Sequence, residues 1–332
     1  MLNLAEVYVH ILVSGGAGYI GSHMARLLAE QGHAVVVLDD LSNGHRQAVQ
    51  WGELVQADLL DREALEKVFA GRRFDAVFHF AALSVVGESV AQPYDYYRCN
   101  VLGTLNLLDA MRRHGVDRFV FSSTASVFGR PLGGQIDEDH PRQPINPYGS
   151  SKLMVEQVLA DAAHAYGLRS ASLRYFNAAG ASRDGLIGES HACETHLIPN
   201  VLRSMLGTAA PLKVFGDDYA TADGTCVRDY VHVEDLAQAH LLALRHLDDA
   251  PGAHAFNLGN GQGFSVRQVI DAASRVVGRE VPYTLAARRQ GDPDVLVASS
   301  RKAREVLGWQ ARWADLDAII ESAWHWHRNQ PW

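Results

Sequence analysis

The stretch Gly15-Gly16-Ala17-Gly18-Tyr19-Ile20-Gly21 decides the fold. Ahead of it stands the apolar, β-branched run Val7-Tyr8-Val9-His10-Ile11-Leu12-Val13, which reads as a buried strand. Behind it Ile20, Met24, Leu27 and Leu28 recur at helical spacing, and Gly32 supplies the stop. Glycines at a strand-to-helix turn let the backbone approach a pyrophosphate, whose charge meets the N-terminus of the following helix. Tight turns need glycine for other reasons too, so the loop alone is a weak signal. Its surroundings sharpen it. A second strand, Ala34-Val35-Val36-Val37-Leu38, ends in Asp39 and Asp40, and Asp39 stands 18 residues beyond Gly21. An acid at that distance is placed to accept from the adenosine ribose hydroxyl, and its charge repels a 2′-phosphate. NAD is therefore expected rather than NADP, with Arg46 a nearby cation that weakens the preference slightly.

Strand and helix go on alternating. Residues 62–70 read as a helix and Phe74–Phe80 as a strand. Pro93–His114 reads as one long helix whose apolar stripe is Val101, Leu102, Leu105 and Leu108. Arg118–Phe121 is the next strand, Gly149–Tyr166 a helix, and Ala171–Tyr175 a strand. This βαβ pattern predicts an α/β fold, a Rossmann-type doubly wound parallel sheet with ligands at the carboxyl ends of its strands. After about residue 178 the pattern loosens into loops rich in Gly, Asp and Pro, and a regular helix returns over 231–248. The expected division is a NAD-binding domain of residues 1–177 plus about 231–255. A smaller, partly interleaved nucleotide-sugar-binding domain would take about 178–230 plus 256–332.

Tyr148 and Lys152, in Pro147-Tyr148-Gly149-Ser150-Ser151-Lys152, carry the chemistry. Four residues apart on a helix, they share one face. A phenol ordinarily loses its proton near pH 10. An ammonium about 5 Å away, at an effective dielectric of about 20, favours the phenolate by about 3 kcal/mol, or roughly two pK units. A second cation, such as an oxidised nicotinamide ring, brings the phenol into the range of a base at neutral pH. An isolated YxxxK is common on solvated helices, so the glycine loop and the acid give this one its meaning. Ser122-Ser123-Thr124 follow Phe121 at a strand end, where Thr124 can hydrogen-bond a reacting hydroxyl or carbonyl and assist proton transfer to Tyr148. Hydroxyls at a strand end also satisfy backbone groups, and Tyr148 and Lys152 downstream favour the chemical reading.

The chain has 332 residues, 47% of them hydrophobic, enough for one large or two smaller domains. A net charge of −8 argues against nucleic acid as a partner. Cys99, Cys193 and Cys226 are widely spaced and odd in number, which suits a reducing cytoplasm. With no long apolar span and no basic-then-apolar opening, a soluble, cytoplasmic protein without membrane contact is expected. Residues 1–6 read as an untidy extension. Trp324-His325-Trp326-His327 resembles a metal tail, yet histidines at i and i+2 on a helix point apart. Without HExxH or paired cysteines, no metal is expected.

Seven segments now carry a resemblance: GGAGYIGSH at 15–23, HFAALSVVGESV at 79–90, SSTASVFG at 122–129, PYGSSKLMVEQ at 147–157, LRYFNAAGA at 173–181, DGTCVRDYVHVEDLA at 223–237 and FNLGNGQGFSV at 256–266. Over residues 9 to 328 the chain resembles the extended short-chain dehydrogenase/reductase superfamily, and within it the UDP-glucose 4-epimerase (UDP-galactose 4-epimerase) family. The glycine loop and YxxxK specify the superfamily; GESV, RYFN and DGTCVRDY point to the epimerase branch. The resemblance implies inversion of C4 of a UDP-hexose through a transient 4-ketose, without net redox. It makes Tyr148 the base, Lys152 its activator and a holder of the nicotinamide ribose, and Thr124 the residue that steadies the 4-hydroxyl. NAD would be held by Gly15, Gly18, Tyr19, Ile20, Gly21, Asp39 and Asn43, with Asp58 and Leu59 flanking adenine. Phe80, Ala81, Ala82, Asn100, Ser122 and Tyr175 complete that cleft. On the substrate side the resemblance implies Asn177, His196 and Phe215, with Arg228 and Arg289 clamping the diphosphate and Asp292 on the uridine ribose. It also implies a homodimer formed through helices 93–114 and 149–166.

Three positions depart from the family pattern: Ser84 where a lysine occurs, His196 in place of asparagine, and Leu296 where a tyrosine closes the sugar pocket. The last leaves room for an N-acetyl group. Other readings stay open. A sugar-nucleotide dehydratase shares the fold but usually needs an acid pair where Ala125-Ser126 follow Thr124. A reductase would exchange NADPH, which Asp39 disfavours. A catalytically silent NAD sensor would have little need of Tyr148 and Lys152 together.

Overall fold

Strand His10–Ser14 runs into the glycine turn and helix Tyr19–Glu30 leaves it in the computed structural model, which describes residues 9–289 and 292–332. Val7, Tyr8 and the N-terminal extension of the sequence reading lie outside the described residues. Apolar runs without alternation fold into strands covered on both faces. Ala34–Asp39 and Ala76–His79 are buried along nearly their whole length. The seven-stranded sheet runs in the order Ala253–Leu258, Arg169–Tyr175, Arg118–Ser122, Ala76–His79, His10–Ser14, Ala34–Asp39, Glu53–Gln56. From Arg169–Tyr175 to Glu53–Gln56 every neighbouring pair is parallel. The chain first builds outward from His10–Ser14 on one side and then crosses to the other. The order therefore reverses between His10–Ser14 and Ala76–His79, the point where such sheets bind ligands.

The expected helices form over Arg62–Ala70, Pro147–Tyr166 and Val233–Asp249, each within two residues of its sequence estimate at the N-terminal end. Asp61 and Asn146 each accept an N–H of the first turn, which fixes where two of them start. The long helix is a correction. It comprises Pro93–Tyr96, a π-helical segment Tyr97–Leu102, and Gly103–Arg113. A π segment inserts an extra residue per turn and rotates the face that follows. The inward face is consequently Tyr96, Asn100, Thr104, Leu107, Ala110 and Met111. Leu102 and Leu105, expected in the apolar stripe, are exposed at 47% and 41%.

The chain divides into two compact units. The first comprises Met1–Ser123, Asn146–Leu173 and His240–Ala255; its core holds Leu12, Val36, Leu65, Phe69, Val77, Leu107, Phe119 and Leu159. The second comprises Thr124–Ile145, Arg174–Ala239 and Phe256–Trp332. Its core gathers Val201, Leu202, Tyr230, Val269, Ile319 and Ile320, largely from helices Leu197–Leu206, Val266–Val277 and Leu316–Asn329. Its strands are short: Asn177–Ala179 pairs with Tyr230–His232, and Leu212–Phe215 with Tyr283–Ala286. Val227–Arg228 lies between Phe264–Ser265 and Val295–Leu296. The buried Asp229 carboxylate fastens this region by accepting from the N–H groups of Asn260 (2.7 Å), Ala298 (3.1 Å) and Gly261 (3.4 Å). Among the described residues no helix is long and apolar enough to cross a membrane, and Cys99, Cys193 and Cys226 are free thiols.

Candidate functional site

In the first unit the glycine loop turns because side chains have no room there. A Cβ on Gly15, whose φ is +78°, would stand 2.3 Å from the Ala81 nitrogen, and one on Gly21 would stand 2.1 Å from the Gly15 oxygen. Gly18 is the N-cap of helix Tyr19–Glu30 and brings no side chain to it, so that N-terminus is open to an anion. Asp39 sits beside the loop, accepting from the N–H groups of Ala17 (3.0 Å) and Leu41 (2.9 Å), while burial pushes its carboxyl up. Each oxygen keeps a second lone pair for a ribose hydroxyl. Phe80 and Ala81 leave the neighbouring strand with both N–H groups donated to the Ser14 carbonyl (2.7 and 3.1 Å). Asn100 ties down the Leu83 backbone in both directions and donates to Ser151 Oγ (3.0 Å). Leu59 is buried, whereas Asn43 and Asp58 are exposed. The open helix N-terminus, the close glycine turn and the Asp39 carboxylate beside it are the features a dinucleotide cradle needs.

Helix Pro147–Tyr166 carries Tyr148 and Lys152, the pair expected from the sequence to react. Tyr148 is in its first turn, where the positive end of the helix dipole favours an anion. Its ring meets Tyr96 edge-on, with centroids 6.4 Å apart. One turn on, the buried Lys152 Nζ donates to the Ser122 carbonyl (2.8 Å) and lies 4.7 Å over the Phe121 ring. Burial lowers its pKa to about 8, opposed by the charges of Cys99 and Glu156. Ser123 Oγ donates to Glu156 Oε1 at 2.6 Å. His79, which sequence reading missed, stacks 5.8 Å from the Phe121 ring over which Lys152 lies. Burial, then the charge of Lys152, lowers its pKa to about 3. Thr104 Oγ1 donates to the Asn100 carbonyl, so His79 Nε2–H donates to Thr104 (2.8 Å) and Nδ1 accepts from Ser14 Oγ (3.2 Å). A neutral ring there adds no competing charge.

The second unit holds Thr124, Tyr175 and the residues expected on the substrate side. Thr124 Oγ1 accepts from the Ser126 N–H at 3.1 Å, capping a short 3₁₀ turn, so the strand-end hydroxyl does satisfy backbone. Tyr175 is buried, and Asn177 donates through Nδ2 to the Asp229 carbonyl at 2.8 Å. Arg228 and Asp292, 64 residues apart in sequence, form an ion pair at 2.5 Å. Tyr219 also reaches Asp292 (3.4 Å), Arg289 lies 4.4 Å over the Phe215 ring, and Leu296 stands beside Arg228 in register. Around Arg289 and Asp292 opens a hollow of about 940 Å³ whose walls include Gln135, Gly261, Arg288 and Val297. His196 is elsewhere in this unit, beside the buried carboxylates of Glu189 and Glu194 and near His191. Burial works against the imidazolium form, but those carboxylates outweigh it and raise His191 to about 9 and His196 to about 10. Glu189, His191 and Glu194 were not singled out in the sequence; their only signal is the symmetric spacing Glu-x-His-x-x-Glu-x-His.

Residues 11–259 match the model of the NAD dependent epimerase/dehydratase family. The chain belongs to that family. The UDP-glucose 4-epimerase of Streptococcus mutans is 52% identical over 324 residues, 97% of each protein. That of Halalkalibacterium halodurans is 50% identical over 321 residues, 97% of this chain and 96% of the relative. Among solved structures, the UDP-glucose 4-epimerase from Brucella ovis in complex with NAD superposes with a TM-score of 0.93 at 50% identity, over 96% of this chain and 98% of that one. Membership bears out the expected NAD dependence and the doubly wound sheet.

Proposed function

We infer that this protein is a NAD-dependent epimerase that inverts C4 of a UDP-hexose, interconverting UDP-glucose and UDP-galactose. The observation that carries the reading is the pairing of a dinucleotide cradle with Tyr148 and Lys152 on one helix, in a chain half identical to such epimerases along its length. NAD, when bound, supplies the oxidised nicotinamide that takes the C4 hydride and gives it back. Tyr148 takes the 4-hydroxyl proton as the ketose forms and, once the sugar has turned to present its other face, returns the proton to the same oxygen. Lys152 holds the phenol ionised, and Thr124 steadies the oxygen that changes charge. Arg228 and Arg289 hold the diphosphate, and Asp292 leaves its ion pair to accept from the uridine ribose. Incubation with UDP-galactose, without added NAD, should yield UDP-glucose by chromatography; its absence from protein that retains NAD would refute the reading. UDP-GlcNAc in a parallel reaction tests the room left by Leu296, and turnover there would extend the substrate class to N-acetylhexosamines.

Asp39 is the residue we hold responsible for retaining NAD. A charge-assisted hydrogen bond contributes about 1.5–3 kcal/mol, so Asp39→Asn should weaken NAD binding roughly tenfold or more, read as cofactor retained after gel filtration. We also propose a homodimer. Val90, Tyr94, Leu102, Leu105 and Met154 form exposed apolar positions on the helices of the first unit. Leu105→Glu should give a monomer mass by light scattering where the unaltered chain gives twice that mass. A monomer from the unaltered chain at micromolar concentration would remove the dimer.

A further inference from the structure

We propose that Glu189, His191, Glu194 and His196 form a closed structural site for a divalent transition-metal ion, best suited to Zn²⁺, in the second unit. Each offers one ligand atom, and the four atoms lie within 4.8 Å of one another. His191 Nδ1 is 3.3 Å from both Glu189 Oε1 and Glu194 Oε2, and His196 Nδ1 is 3.4 Å from Glu194 Oε1. A tetrahedron with metal–ligand bonds of 2.0–2.1 Å has edges of about 3.3–3.4 Å, so the two separations from His191 suit zinc, while the His196 distance is to the other oxygen of Glu194. His196 Nδ1 to Glu189 Oε1, at 2.5 Å, has to open by about 0.8 Å to fit such a tetrahedron, and the wider separations, within 4.8 Å, have to close on the ion. Two imidazoles and two carboxylates are a donor set that zinc accepts, and four protein ligands leave no position for water or substrate.

Charge and support agree with this geometry. The Glu189 and Glu194 side chains are only 4% and 3% exposed, and among the described residues their ion pairs are all to these two histidines. A dication with neutral imidazoles balances two buried carboxylates as fully as two imidazolium ions do. The ligands are held from behind. Glu194 Oε1 accepts the N–H groups of Thr195 and His196, both at 2.8 Å, and the Glu189 carbonyl accepts from Trp326 Nε1 at 2.9 Å. Such outer contacts orient metal ligands. His327, on the same helix as Trp326, is near enough to feel both carboxylates, and its buried Nδ1 has no hydrogen-bond partner. A bound ion would pin the loop that precedes helix Leu197–Leu206, whose N-cap is His196. The role is structural, and ligation through Nδ1 still leaves Nε2 of His196 able to meet substrate.

The test uses the full chain, stripped with a chelator and then dialysed against micromolar ZnCl₂. Elemental analysis should find about one zinc per chain, and the thermal midpoint should rise by on the order of 5 °C. Co²⁺ in place of zinc should give the intense visible bands of a tetrahedral N/O site. His191→Ala and Glu189→Gln should each lose the metal and the thermal shift. Should a variant fail to fold, the cobalt spectrum of the unaltered protein decides. Zinc content well below one per chain, an octahedral cobalt spectrum, or stoichiometric zinc unaffected in His191→Ala would each overturn the proposal. None of these readouts depends on epimerase activity.

Discussion

Tyr148→Phe should lower kcat on UDP-galactose by about a thousandfold while leaving NAD content and fold unchanged. A positioned general base contributes about 10²–10⁴ in rate, and here the same group must both take and return the proton. Phenylalanine keeps the ring that packs edge-on against Tyr96, and the Tyr148 carbonyl still accepts from Ser151 Oγ (2.7 Å). Loss of the hydroxyl is therefore a change in chemistry with little change in packing. Circular dichroism and released NAD give the controls, and progress curves resolved by chromatography give the rate. KM should move much less than kcat, because the lost contact matters most when the proton is in flight. A loss below tenfold would mean that another group is the base and that the proposed mechanism is wrong.

Much of the first unit was legible because its signals are local. The glycine turn, the acid after Leu38 and the tyrosine–lysine pair each depend on residues within one βα step, where spacing translates directly into geometry. The π segment Tyr97–Leu102 was not legible, since no composition marks it, and it overturned the apolar stripe assigned to Leu102 and Leu105. In the second unit the decisive contacts are long-range. Arg228 meets Asp292 across 64 residues, and Asp229 organises three N–H groups from two distant loops. Strands of two residues, such as Val227–Arg228 and Val295–Leu296, are too short to carry a period. The Glu189–His196 cluster shows a third kind of blindness. Its two Glu-x-His steps contain neither HExxH nor paired cysteines, and they converge only because an irregular loop folds them together.

Lys152→Met should lower activity at pH 7 about a hundredfold and, unlike Tyr148→Phe, leave activity that recovers as pH rises. In the proposed mechanism an ammonium about 5 Å from the phenol, at an effective dielectric of about 20, would favour the phenolate by about 3 kcal/mol, so its loss should move the acidic limb of the pH–rate profile up by roughly two units. Within that interval the variant should gain about tenfold per pH unit, while Tyr148→Phe stays flat. Methionine retains most of the stem that lies over Phe121 but gives up the bond to the Ser122 carbonyl. Stability supplies an independent reading of the same charge. Lys152 titrates near 8 in the folded chain against an ordinary 10.5, so between those values the unfolded chain binds more protons. Stability from this residue therefore rises with pH from about 8 to 10.5, and the buried charge costs the folded state about 3 kcal/mol below that window. Denaturant titrations at pH 7.5 and 10 should show that rise in the original protein and not in Lys152→Met, beyond whatever pH dependence the two share. Equal changes in both would mean that Lys152 is not the buried cation inferred here, and a variant whose activity stayed flat with pH would deny it the task of ionising Tyr148.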